Sequence, residues 1–359
     1  MLGGAAEEMP MTDLAQWNVH GPVHTLRTEF AEWDLSLEQW QAARNSNLVR
    51  FHPDGRISES EAYNPDGSIA RSSYVYDAAG RIQETRFEVN GAVTSKGVYC
   101  YREDGRLARI ISMDQAGIER ESESYSYSED GKKTKVYFIP KQDPNVLFGC
   151  GIEGTTHSYS APGAATVTTR YDERGQPHEV LFHDDGQRLL RRVIFTRDST
   201  GRLIREEMHF GEQIPFPGME KGLENASAAD RERVLAMIAN LFGPNKVMSS
   251  TTYAYDAKGR LVERRMYTGQ LADRRSTFRY DDHDNPIAEA SEDSSREMQT
   301  DEKGNLHPTK ESSHKQNVRF EYRYDAQGNW TERIVWSRWE SNPNFERSNI
   351  ERRDITYYA

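Results

Sequence analysis

Cysteine, apolar residues and catalytic signatures are all scarce in this chain. The 359 residues include two cysteines, Cys100 and Cys150. They match no zinc-ligand spacing and form no CxxC pair, so a single disulfide and two free thiols both stay open. Hydrophobic residues reach 36%, below the roughly 45–50% usual for globular domains, which argues against one thick core. No stretch approaches the roughly 20 apolar residues of a membrane-spanning helix, so no transmembrane segment is expected. The start, MLGGAAEEMPMTDLAQW, lacks the basic residues and apolar core of a signal peptide. A cytoplasmic chain and one whose leader has been removed both fit. No GxSxG, HExxH, P-loop or dinucleotide fingerprint occurs. Ten histidines take no metal-ligand spacing; His178 and His183, beside Asp184 and Asp185, come nearest. Neither a cofactor nor a metal is expected. The net charge of -11 repels phosphate backbones and anionic membranes, which disfavours nucleic acid as a partner.

Aromatics, by contrast, are abundant, with 18 Tyr, 13 Phe and 6 Trp, far too many for a disordered chain. Many of them open a short repeated unit. FHPDGRI (51–57), YNPDGSI (63–69), YDAAGRI (76–82), FEVNGAV (87–93), YREDGRL (101–107), MDQAGIE (113–119) and YSEDGKK (127–133) align without gaps. So do YDERGQP (171–177), FHDDGQR (182–188), RDSTGRL (197–203), YDAKGRL (255–261), YDDHDNP (280–286), TDEKGNL (300–306) and YDAQGNW (324–330). One turn about every dozen residues leaves room for one strand between turns, which is the rhythm of tandem β-hairpins. Each position has a physical task. The aromatic closes the incoming strand. Asp77, Asp172, Asp256 or Asp325 opens the turn by binding backbone N–H groups two residues on. Pro53 and Pro65 suit the first turn position. Gly supplies the positive φ of a bulged turn, and Asp284 replaces it once because Asp tolerates that region better than most residues. Between turns the residues alternate. Phe320, Tyr322 and Tyr324 share one face, with Arg319, Glu321 and Arg323 opposite. The same alternation groups Trp330, Ile334 and Trp336 against Arg333.

The YDAAGRI, YDAKGRL and YDAQGNW units resemble the YD repeats of the RHS-repeat family, over roughly residues 49–336 with gaps. The resemblance implies a long antiparallel sheet of successive hairpins that curls into a shell in larger members. Those members are bacterial surface or secreted proteins, often with a toxin domain held inside. The resemblance thus implies a chain at the cell surface or outside the cell, its leader absent here, with a cytoplasmic chain as the alternative. It differs in being short and in ending within about 30 residues of the last unit, so toxin delivery is not implied.

The expected fold is therefore all-β: a long curved antiparallel sheet, rolled into an open or closed barrel, with one inserted amphipathic helix. Residues 1–16 read as a loose leader, and 17–359 as one repeat domain with insertions at 139–165 and 210–245. A first strand pair is expected around Gly21-Pro22, with Val23, Thr25 and Arg27 alternating against His24, Leu26 and Thr28. Residues 35–47 read as a short helical turn or a hairpin loop. The helix falls within 223–242, capped by Asn225 or Ser227 and stopped at Gly243-Pro244. Its stripe is Val234, Met237, Ile238 and Leu241. Phe216 lies in a preceding proline-containing loop that would lid a cavity.

Candidate recognition residues are aromatic. Trp330, Trp336 and Trp339 with Tyr322 and Tyr324 cluster near the C-terminus, and Trp17, Trp33 and Trp40 near the N-terminus. Such rings stack on sugars or peptide side chains, and the two groups become neighbours if the barrel closes. The expected function is a non-catalytic scaffold or binding protein for a glycan, peptide or protein. A hydrolase using paired carboxylates in a groove, and a fragment or partner of a larger RHS system, are the alternatives.

Overall fold

The computed structural model describes residues 13–139, 159, 161, 163–212, 227, 228, 230–232, 234, 245–268, 271–300 and 306–358. They form a closed antiparallel barrel of 20 strands with one additional strand. In chain order the first strands are β1 (Val23–Asp34), β2 (Gln39–Trp40), β3 (Arg44–Phe51), β4 (Ile57–Tyr63), β5 (Ile69–Tyr76), β6 (Ile82–Val89) and β7 (Ala92–Tyr101). Next come β8 (Leu107–Asp114), β9 (Glu119–Tyr127), β10 (Lys133–Phe138), β11 (Thr166–Tyr171), β12 (Pro177–His183), β13 (Leu189–Arg197) and β14 (Leu203–Phe210). The remainder are β15 (Val247–Tyr255), β16 (Leu261–Thr268), β17 (Leu271–Tyr280), β18 (Pro286–Thr300), β19 (Leu306–Tyr324), β20 (Trp330–Trp339) and β21 (Glu346–Tyr357). From β3 onward every strand pairs with its sequence neighbour. β1 then lies between β3 and β21 and closes the ring, which leaves the 20 strands without a free edge. β2 extends β1 only, through Trp33 opposite Trp40.

Because strands alternate in direction, successive turns fall on opposite rims. The turns after β3, β5, β7, β9, β11, β13, β15, β17 and β19 form one rim and carry the strong copies, from FHPDGRI to YDAQGNW. The true repeat is thus a pair of strands about 25 residues long, and the dozen-residue spacing counts both rims together. On the first rim Gly80 sits at φ +80°, its N–H bonded to Asp77 O at 2.9 Å while Asp77 N–H reaches Arg81 O at 2.8 Å. Asp284 takes the same place at φ +61°. The opposite rim is irregular. FEVNGAV makes a two-residue turn with Asn90 and Gly91 both at positive φ, the pattern of a type I′ hairpin. In FHDDGQR the turn slides by one residue. Asp184 opens it, and Gln187, not Gly186, takes the left-handed position at φ +62°.

The first-rim units lock onto one another. The Tyr101 hydroxyl donates to Ile82 O at 2.7 Å, Tyr76 to Ile57 O at 2.7 Å, Tyr255 to Leu203 O at 2.7 Å and Tyr280 to Leu261 O at 2.7 Å. Each tyrosine thus holds the strand that leaves the preceding turn. The arginine after the glycine works forward. Arg81 Nε binds its own Asp77 at 2.8 Å, a second nitrogen donates to Gly105 O at 3.2 Å, and its plane lies 4.2 Å from the Tyr101 ring centre. Arg56 repeats this toward Gly80 and Tyr76, and Arg260 stacks on Tyr280. Tyr101→Phe, which leaves the Ile82 carbonyl without this donor, is expected to lower stability by about 1 kcal/mol in urea denaturation.

The same turns predict a pH response. Hydrogen bonds from backbone N–H groups and the following arginine hold Asp77, Asp184 and Asp256 below the ordinary aspartate value. Side-chain bonds to Thr200 and Arg202 do so for Asp198. A depressed folded pKa contributes stability above the unfolded value of about 4, lost as pH falls through the folded values. Thermal stability is expected to hold at neutral pH and fall below about pH 4. A variant with Asn at these four positions should be less stable at pH 7 and have a shallower acid limb. Melting curves across pH 2–8 check both.

Among the described residues the apolar core forms two clusters, not one mass. One joins Val167, Val180, Phe182, Val193, Phe195 and Leu203 under Tyr159, Ala161 and Ala164. The other joins Val19, Val23, Leu26, Val49 and Phe51, with Leu14, Trp17 and Ile355 packed against it. Residues 13–16 are therefore not loose. Asp13–Gln16 is a helical turn, Asp13 accepts the Ile57 N–H at 2.6 Å, and Leu14 lies over Gly55. A β-carbon there would meet Leu14 Cδ1 at 2.8 Å and make Leu14 shift, and the φ of +84° favours glycine. Nor does Gly21-Pro22 turn a local strand pair, since β1 pairs with β21 and β3. A bulge between Val23 and Thr25 shifts the expected alternation and puts Val23 and Leu26 together in the core. Residues 35–38 form the hairpin loop between β1 and β2, the second of the two alternatives, and 39–47 supply β2 and the start of β3. Of the expected helix, Ala228, Asp230–Glu232 and Val234 are helical. Ser227 caps them, accepting from Asp230 N–H at 3.1 Å. Asn225, Phe216, Met237, Ile238 and Leu241 lie outside the described residues.

Candidate functional site

The two faces of the barrel wall differ in chemistry. Both core patches pack on one face, which we assign as the inner one because the residues at 13–19 and around Tyr159 pack over it. It carries a band of aromatics two residues ahead of the first-rim positions: Tyr74, Tyr99, Tyr125, Phe195, Tyr253, Phe278 and Tyr322. This Y-x-Y spacing is visible in SSYVYD, GVYCYR, ESYSYS, TTYAYD and FEYRYD, with Asp next in three of them. The signal lay in the sequence, but only barrel closure aligns those rings at one depth. Burial raises the phenol pKa of Tyr74, Tyr99, Tyr125 and Tyr322 above the ordinary value. Beside them the wall is small and polar: Thr85, Gly97 and Ser112 continue the register row that starts at Tyr74 across β5–β8, and Ser72 shares their face. Along β5–β10 no residue is fully buried on either face, so water reaches the lumen there. On β11–β14 the segment around Tyr159 covers the wall. The Glu206 carboxylate, 2% exposed, accepts the hydroxyls of Tyr159 and Tyr253.

The expected aromatic sites divide between the faces. A bulge in the β19–β20 pairing after Tyr324–Trp330 reverses the alternation. Trp330 therefore shares the inner face with Arg333, and not with Ile334 and Trp336. Arg333 lies 5.2 Å from the Trp330 ring, Arg353 3.6 Å from it, and Tyr322 meets it edge-on at 6.2 Å. Arg353 also donates to the carbonyls of Trp17 and Asn18, and burial pushes its guanidinium down to about 10. Tyr322 and Tyr324 are engaged structurally. The Tyr322 hydroxyl binds Pro286 O at 3.0 Å, Tyr324 donates to Asp281, and His283 stacks on Tyr324 at 4.1 Å. On the outer face Arg347 sits between Trp33 at 4.7 Å and Trp336 at 5.1 Å, and Trp33 meets Trp40 edge-on at 4.9 Å. Closure thus brings N-terminal and C-terminal tryptophans together on both walls. Trp339 stands apart at the second rim, 53% exposed.

The outer wall is a lattice of charge. Glu61 sits by Arg50 and Arg71, Glu84 between Arg86 and Lys96, Glu179 between Arg170 and Arg192, and Glu332 between Arg323 and Arg352. A membrane barrel needs an outward apolar band, where each charge costs about 2–4 kcal/mol at the midplane. These mid-strand ion pairs suit an outer wall in water. Among the described residues no helix is long and apolar enough to cross a membrane.

Catalytic constellations do not assemble among the described residues. His178 and His183 stand near opposite ends of β12, about 16 Å apart along a strand, so they cannot share an ion. No group of three metal-capable side chains forms among the described residues. Inner carboxylates are engaged singly: Glu123 with Lys135 at 2.7 Å, Glu351 with Arg333 at 2.5 Å and Glu289 with the Ser291 hydroxyl at 3.1 Å. Cys100 is a free thiol, and Cys150 lies outside the described residues.

No family model matches the chain, and no curated protein matches it. Solved structures with a similar course include TcdB2-TccC3-TEV, 12% identical with a TM-score of 0.24, of which the chain spans 18% while 89% of this chain is covered. A porin-like protein from Bacteroides uniformis ATCC 8492 is 10% identical with a TM-score of 0.32, covering 94% of this chain and 99% of its own. At these values the likeness goes no further than β-rich architecture, and the function has to be argued from the two walls of this barrel.

Proposed function

We propose that this protein is a non-catalytic binding shell whose water-accessible lumen holds a polypeptide segment. The observation that carries the reading is the inner wall of β5–β10, where Tyr74, Tyr99 and Tyr125 alternate with Ser, Thr and Gly. Tyrosine offers large, stiff, amphipathic contact area at low entropic cost, and small hydroxyl residues adapt their hydrogen bonds to it. The inner carboxylates support a binding role over hydrolysis, because Glu123, Glu206, Glu289 and Glu351 are each held by a lysine, an arginine or a hydroxyl and are not set free as a pair for acid–base work.

The test has two stages. Ser112→Cys, in a background with Cys100→Ser and Cys150→Ser, should react with maleimide-linked polymers up to a size limit set by the lumen. A reduced, carboxymethylated polypeptide should then bind in calorimetry, and Tyr99→Ser should weaken it about tenfold without altering the melting temperature by more than a few degrees. Lack of reaction at Ser112→Cys, preference for an oligosaccharide over the polypeptide, or measurable turnover of either probe would overturn the reading.

A further inference from the structure

The outer wall carries a second site, independent of the lumen. Between β17 and β20 a groove of about 430 Å³ opens on the outside of the sheet, within the roughly 300–1,000 Å³ of ligand sites. Its floor is made of small residues, Ala288, Ala290 and Asn317, facing each other across β18 and β19. Arg279 forms one wall, and Arg319, Arg338 and Phe345 form the other.

The arginines of the far wall are arranged by aromatic rings. Arg338 lies 4.8 Å and Arg319 5.4 Å from the Phe345 ring centre, and Arg319 lies 5.1 Å from Trp336. Phe345 is set by the turn before β21, where Asn342 N–H donates to Trp339 O at 2.9 Å and Asn344 N–H to the Asn342 side chain at 3.0 Å. Stacking occupies the guanidinium planes and leaves their N–H edges, the fork that binds a carboxylate in two parallel hydrogen bonds. Arg279 and Arg338 have no ion pair with any described carboxylate, whereas Arg319 keeps Glu321 at 2.9 Å. On an outer wall where Glu61, Glu84, Glu179, Glu263 and Glu332 are all held by arginine or lysine, Arg279 and Arg338 stand without a carboxylate partner among the described residues.

We propose that the groove binds an extended acidic peptide segment, whose carboxylates bridge Arg279 and Arg338 and whose apolar side chain rests on Phe345. Charge complementarity selects the occupant. The overall charge of -11 opposes long polyanions such as nucleic acid. A short segment with a few carboxylates senses mainly charges within a Debye length of about 10 Å, and there three arginines outnumber Glu289, which also lines the groove, and Glu321, which pairs with Arg319.

The probe is a labelled nonapeptide carrying three glutamates and one phenylalanine, titrated against the full chain by fluorescence anisotropy at low and physiological salt. It should bind, weaken with salt and lose at least tenfold when its glutamates become glutamines. Arg279→Gln and Arg338→Gln should each weaken it about tenfold. Arg319→Lys, which keeps the charge and loses the planar fork, should weaken it several-fold. Arg279 is exposed, so that variant leaves folding intact, and unchanged binding of the lumen probe separates this site from the interior one. Equal affinity for the glutamine peptide, tighter binding of a duplex oligonucleotide or a heparin fragment, or unchanged affinity in the arginine variants would overturn the proposal.

Discussion

Deleting residues 346–358 is expected to abolish the cooperative, monomeric fold. β21 runs along β1 from Thr25 to Glu32 and along β20 from Glu332 to Ser337. Without it both neighbours become long edge strands with unpaired backbone groups, which recruit other chains. The loss extends inward. Ile355 leaves the core patch around Leu26, Arg353 leaves the face of Trp330, and Tyr358 no longer donates to Phe51 O at 2.6 Å. Size-exclusion chromatography should show assemblies in place of a single species, and the thermal transition should broaden or vanish. A point version, Ile350→Asp, places a charge at a position 2% exposed and should cost at least about 3 kcal/mol. A truncated chain that stayed monomeric and melted sharply would show that hairpin-to-hairpin contacts suffice without closure.

Phe182→Ala is expected to be the most damaging single truncation in the sheet, at about 3–5 kcal/mol in urea denaturation. Its ring is 1% exposed and packs with Val167, Val180 and Val193 beneath the segment around Tyr159. Phe87→Ala is the control. That ring is 40% exposed in the water-accessible stretch, so its loss should cost less than about 1 kcal/mol. The ratio measures how unevenly the interior is packed. Similar values at the two sites would mean that the lumen of β5–β10 is dry.

Both outcomes depend on features that differ in how far they can be read from the chain itself. The turn unit is local. Asp77 capping two residues on, Gly80 at positive φ and Pro53 at the first turn position are effects within five residues, so they are legible in any single copy. Ser227 as a helix cap belongs with them. The arginine that follows the glycine, recurring as Arg56, Arg81, Arg106, Arg202 and Arg260, was equally visible. Its partners, a tyrosine ring about 20 residues on (53 for Arg202) and, for Arg56, Arg81 and Arg260, a backbone carbonyl, exist only once successive hairpins stand side by side. Trp330 shows the opposite limit. Alternation alone sets it with Ile334 and Trp336, and one bulged residue moves it to the other face, because strand periodicity is two and any insertion inverts it.

What the sequence by itself determined is therefore the hairpin rhythm, the all-β class, the polar balance that rules out one thick core, and the chemistry of each turn. The tertiary structure alone decided that the sheet closes, that strong turns share one rim, and which wall each aromatic joins. The physical reason is distance along the chain. Turn chemistry is settled among neighbouring residues, whereas closure pairs Leu26 with Ile355, and only that pairing gives the barrel a wet inner wall and a charged outer one.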